Sequence, residues 1–120
     1  MPEKIIQRAR NFPPNLYFNV PFETKKRFGV CRGDRLRCVI QRVLTADGKV
    51  LRSINREVEC EVKKRDGRFY IPPQLIQELN LTGREYYEIL LLKLIKPDGS
   101  EVEIYPNEMV EKEIAVKPKE

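Results

Sequence analysis

The chain has 120 residues, enough for one domain, with 23 Lys plus Arg against 18 Asp plus Glu and a formal net charge of +5. Folding at this size removes roughly 60 to 70% of the unfolded surface from water, so a modest core forms without staples. The sequence has no histidine, and its three cysteines form no CxxC pair. This argues against a four-ligand zinc site and a secreted disulfide framework, and leaves no means to build Ser/His/Asp or Cys/His nucleophiles.

In chain order, "KIIQRAR" is too short and too charged for a signal peptide, and no run reaches the roughly 18 apolar residues of a membrane span. A soluble, cytoplasmic protein without membrane contact is expected. "KIIQRAR", "NFPPN" and "LYFNVP" read as strand, turn and strand. Alternation sends Phe18 and Val20 to the core and Tyr17 and Asn19 to the other face. Pro21 opens a short helix through Lys25, Lys26 and Arg27, and Gly29 stops it, because glycine tolerates the left-handed conformation of a helix end. Leu36, Cys38 and Ile40 then alternate with Arg35, Arg37 and Gln41, the pattern of a strand with one buried face. Asp47-Gly48 suits a tight hairpin turn.

The same order of signals returns. "EVECEVKK", "RDG" and "RFYIP" read as strand, turn and strand, with Val58, Cys60 and Val62 on one face. Pro72 opens a second short helix, Asn80 stops it, and Asp98-Gly99 marks another turn. Sliding the chain against itself by 51 residues sets Phe18 on Phe69, Val20 on Ile71, Pro21 on Pro72, Phe28 on Leu79, Val30 on Leu81, Asp34 on Glu85 and Ile40 on Leu91 without a gap. "YYEILLLKLI" alone could be a helix; the repeat assigns it to a strand. Its extra apolar residues imply that both faces are covered, by the C-terminal tail or by another subunit. The expected organisation is one mostly-β barrel domain over residues 1–106, built of a repeat at 1–55 and a repeat at 56–106. A charged tail, 107–120, adds an edge strand through "MVEKEIAV".

Charge divides unevenly between the halves. Residues 1–55 hold 12 Lys plus Arg against 4 Asp plus Glu, a balance of +8, whereas residues 56–120 hold 11 against 14, a balance of −3. A half that basic attracts polyanions. Cys38 and Cys60 read as small core residues and Cys31 as a loop residue. A Cys38–Cys60 disulfide stays open as in a thermophile's cytosol, a source the high charged fraction and absent histidine fit.

"GRFYIP", and the proline, basic helix, Gly-Val, Gly-Asp and alternating strand of "VPFETKKRFGVCRGDRLRCVI", resemble the AbrB family over roughly residues 4–105. The resemblance implies a mostly-β fold with two short helices, an internally duplicated swapped-hairpin β-barrel in which one chain forms a pseudo-dimer; a double-psi barrel is the alternative topology. In that family, pairs of chains interlock and bind DNA, with basic residues in the first strand, before the second strand and on the helix. Carried over by position, Arg10 takes the strand place and Lys25 and Lys26 the helix places, while Tyr17 stands where an arginine is expected. In the second copy Arg68 supplies that arginine, and Glu61, Ile76 and Gln77 occupy the other three places.

The function implied is a DNA-binding transcriptional regulator or chromatin-associated factor, nucleoid-associated, with neither enzyme activity nor cofactor nor metal. Arg8, Arg10, Lys25, Lys26 and Arg68 would contact phosphates, with arginines reaching base edges in the major groove of double-stranded DNA. The rival is a protein-interaction or assembly module, in which strand 86–95 pairs with another protein or in a homodimer. The plainer reading of Lys25, Lys26 and Arg27 is a solvated helix face, and of Arg35, Arg37 and Arg42 the water side of a strand. Gly99-Ser100 is similar to the self-cleaving bond of related barrel decarboxylases but reads as a turn matching Asp47-Gly48-Lys49. Gly29 and Gly33 read as a helix stop and a turn rather than a phosphate loop.

Overall fold

The computed structural model describes residues 3–63, 67–106 and 110–113. Its strands in chain order are Glu3–Arg8 (β1), Arg10–Phe12 (β2), Asn15–Asn19 (β3), Arg35–Leu44 (β4), Val50–Val62 (β5), Arg68–Ile71 (β6), Tyr86–Ile95 (β7), Glu101–Glu103 (β8) and Val110–Glu113 (β9). Helix α1, Phe22–Phe28, lies between β3 and β4, and helix α2, Pro73–Leu79, between β6 and β7. The protein is thus mostly β with two short helices. The strands form one sheet in the order β2-β3-β6-β5-β4-β7-β1-β9, with β8 also on β7. It curls into a half-barrel, antiparallel throughout except where β9 runs parallel to β1.

Alternation fills the inside of the curl. Ile5, Leu36, Ile40, Ile89 and Leu91 are fully buried. At the seam between the halves Phe18 of β3 sits directly opposite Phe69 of β6, their ring centroids 5.7 Å apart, with Tyr87 edge-on to Phe18 at 5.9 Å. The helices start and stop as expected. Pro21 and Pro72 immediately precede them, and Gly29 (φ 66°) and Asn80 (φ 55°) end them in the left-handed region. Hydrogen bonds recur at the same spacing in both halves. The Lys25 N–H donates to Pro21 O and the Ile76 N–H to Pro72 O; Val30 donates to Lys25 O and Leu81 to Ile76 O. At the two Asp-Gly turns Thr45 donates to Lys49 O and Lys96 to Ser100 O, both at 2.8 Å.

Two features depart from the sequence reading, and two others, the place of the repeat boundary and the state of the cysteines, bear on it. The predicted repeat boundary at 55/56 falls inside β5, one 13-residue strand. There Asn55 takes φ 51°, and the pairing with β4 shifts register between Ile40 and Arg42.

The first hairpin is longer than the second. Ala9 N–H donates to Glu85 O as Val62 N–H donates to Asp34 O, so Ala9 corresponds to Val62 although Phe18 corresponds to Phe69. Ahead of the hairpin the alignment therefore moves by two residues. Lys63, not Glu61, matches Arg10, and Glu61 matches Arg8.

Strand 86–95 offers no free edge for a partner. β4 pairs along one side, and β1 and β8 fill the other. Its outer face carries Leu90 and Leu92, both half-buried.

Cys38 and Cys60 are the small core residues expected, free thiols buried on neighbouring strands. The Cys38–Cys60 hydrogen bond, with burial behind it, pushes the Cys38 thiol well up, as suits a core residue. β9 is the edge strand expected within "MVEKEIAV"; most of the predicted "RDG" turn and residues 107–109 and 114–120 of the tail lie outside the described residues. Among the described residues no helix is long and apolar enough to cross a membrane.

Candidate nucleic-acid interface

Six of the twelve cations of the first half, Lys4, Arg27, Arg35, Arg37, Arg42 and Arg52, are committed to the fold. Arg37 donates to Glu59 at 3.0 Å and lies 3.5 Å from Glu57, and Arg35 lies 3.5 Å from Glu59, so the glutamates of β5 neutralise the outer arginines of β4. Arg42 and Lys4, the latter at 3.0 Å, both hold Glu88, whose side chain is only 3% exposed. Burial is the largest influence on the Glu88 carboxyl and acts to raise its pKa; hydrogen bonds and charges from Arg42 and Lys4 outweigh it and hold the group below its ordinary value. Arg52 donates to Leu79 O and Asn80 O, closing the carboxyl end of α2, and Lys96 does the same for α1 at Gly29 O. The Arg27 guanidinium lies 5.1 Å from the Tyr105 ring centroid and 5.6 Å from that of Phe28.

Four of the five predicted site residues stand apart from this pattern. The side chains of Arg8, Arg10, Lys25 and Lys26 make no ion pair or hydrogen bond with any described residue. Arg8 and Arg10 project outward on either side of buried Ala9. Arg8 lies opposite Tyr86, and Arg10 lies opposite Tyr17. Tyr17 in turn pairs with Tyr70 of β6, and Asn19 with Arg68. Residues directly opposed in an antiparallel pair face the same side. Arg10, Tyr17 and Tyr70 therefore form one row on the same side of β2, β3 and β6, with Arg68 beside it and Tyr70 itself covered, only 3% exposed.

The fifth predicted residue closes the group. The Arg68 guanidinium lies 4.5 Å from the Tyr17 ring centroid, a cation–π stack. A Cβ on Gly67 would come within 3.1 Å of Lys25 Cδ, so the stem of Lys25 runs against the residue before Arg68. The entry to α1 is tied down there by Val20 N–H donating to Gly67 O at 3.0 Å. The fold thus gathers Arg10, Tyr17 and Arg68, while Lys25 meets Gly67 beside the buried Val20. Lys26 follows on the exposed side of α1, and Arg8 sits farther along the first strand.

Sequence reading missed Phe12 at this face and did not carry Tyr70 into the site. Phe12 remains 49% exposed, edge-on to Tyr70 at 5.5 Å, and Tyr70 stands 5.6 Å from Tyr17 with Lys63 5.7 Å from its ring. Pro13-Pro14 directly after Phe12 was the available signal, since two prolines end a strand and leave the preceding side chain at a hairpin tip. No protein-family model, curated protein or solved structure matches this chain.

Proposed function

We propose that the protein is a DNA-binding regulator or chromatin-associated factor of AbrB type, its barrel made of two swapped-hairpin copies within residues 1–106, acting in the cytoplasm on the nucleoid. The strand exchange supports the architectural part. β4 of the first half takes residues 56–62 as a neighbour, and β7 of the second half takes β1, which is how hairpins exchanged between two copies would pair. The observation that carries the functional part is the division among the cations. Arg35, Arg37, Arg42 and Lys4 have carboxylate partners, whereas Arg8, Arg10, Lys25 and Lys26 have none among the described residues. Exposed cations without carboxylate partners gain free energy from phosphates by releasing counterions.

Binding of the purified protein to a mixed-sequence duplex across a salt series tests this. Affinity should fall steeply with salt, and Lys25→Ala with Lys26→Ala should weaken binding across all sequences without lowering the melting temperature. No retention on DNA at low salt would overturn the proposal.

An assembly role has one observation in its favour, though at a different place from the strand first expected. Val50 and Leu51, 48% and 54% exposed, sit where β5 begins. A dimer in sizing experiments, lost in Leu51→Ser, would support it.

A further inference from the structure

We infer that the outer face of β2, β3 and β6 takes single-stranded nucleic acid more tightly than duplex, holding unpaired bases by stacking. This rests on the nucleic-acid reading above and specifies its ligand. A surface that meets only the duplex backbone needs cations and hydrogen-bond donors; exposed rings add nothing there. Here the cations stand beside a continuous aromatic run. Phe12 meets Tyr70 at 5.5 Å, Tyr70 meets Tyr17 at 5.6 Å, and the Arg68 guanidinium lies 4.5 Å from the Tyr17 ring centroid.

The run has two outward platforms. One is the half-exposed ring of Phe12; the other is the Arg68–Tyr17 stack, whose guanidinium plane accepts a base as an aromatic ring does. Phe12 pairs with Asn15, and Tyr17 lies two residues farther along the same strand, a displacement of roughly 7 Å. With the further step from β2 to β3, the two platforms stand more than one base step apart, so they take different bases. Arg10, opposite Tyr17, stands beside the second platform and can follow the phosphates. Rings for bases and flanking cations for the backbone are what single-strand binders require.

The test compares a short oligodeoxythymidylate with its duplex on oligodeoxyadenylate, measured for wild type, Phe12→Leu and Phe12→Ala. Leucine keeps an apolar contact on Tyr70 without a stacking face, so its melting temperature should stay near wild type. The expected result is tighter binding of the single strand and quenching of tyrosine emission, which no tryptophan obscures. Phe12→Leu should lose between about 5-fold and 150-fold in single-strand affinity with an unaltered salt slope. Wild-type affinity in Phe12→Leu, or a preference for the duplex, overturns this inference and leaves DNA binding standing. Absence of binding to either form at low salt overturns both.

Discussion

The two helices are the same backbone with different side chains. Each has seven residues, each follows a proline, and each ends in a left-handed residue, Gly29 or Asn80. A cation from a distant strand or turn closes each carboxyl end, Lys96 for α1 and Arg52 for α2. At matching positions α1 carries Lys25, Lys26 and Arg27, where α2 carries Ile76, Gln77 and Glu78. The requirements for building this helix are met by its ends and its buried side. The rest varies: the exposed pairs Lys26/Gln77 and Arg27/Glu78 and the half-buried pair Lys25/Ile76 are basic in the first half and not in the second.

The comparison breaks first in the core if the halves do not share it evenly. Phe18→Ala and Phe69→Ala each remove one ring of the central stack and should each cost about 3 to 5 kcal/mol. Urea unfolding should show nearly equal losses; a large loss for one and a small loss for the other would mean that one half folds around the other.

Acid should next separate the buried ion pairs that join the halves from the exposed ones. Glu88 is held below its ordinary value in the folded chain. Its contribution is therefore present above the unfolded carboxyl value, near pH 4.3, and is lost as pH falls through the lower folded value. Glu88→Gln should flatten the acid limb of a plot of stability against pH. Glu59, in the exposed pairs with Arg35 and Arg37, should leave that limb almost unchanged on conversion to Gln, because such pairs contribute little.

The smallest expected difference lies at the helix ends. Arg52→Ala should cost about 0.3 to 1 kcal/mol by exposing the carboxyl end of α2. Lys96→Ala should cost more, since Lys96 also donates at 2.7 Å to Asp34, a residue only 1% exposed. Thermal melts of the two variants, run side by side, check the order.

Local signals were legible before the structure. Pro21 and Pro72, Gly29 and Asn80, and the Asp-Gly turns each act within a few residues, and the alternation around Cys38 names its own buried face. What was not legible depends on which strand lies beside which. The 51-residue slide is keyed to Phe18 and Phe69, so it carried a silent two-residue error into the strands ahead of them, where "NFPPN" makes the longer hairpin. Glu88 looks like a lone polar residue in an apolar run until β1 and β4 bring Lys4 and Arg42 to it. Sequence reading sets Arg35 and Arg37 on the water side of a strand, but only the register against Glu57 and Glu59 shows them neutralised. The Phe12–Tyr70 contact likewise exists only because the two halves meet at β3 and β6.

The central claim is that charge on the first half, and not the shared backbone, binds DNA. Its most direct test is Lys25→Ile with Lys26→Gln, which gives α1 the side chains of α2 at those turns. The dependence of duplex affinity on salt would be compared with that of wild type. The account predicts that the slope of log affinity against log salt falls in magnitude by about 2, near 0.9 for each phosphate contact removed, at an unchanged melting temperature. An identical slope with intact folding would contradict it.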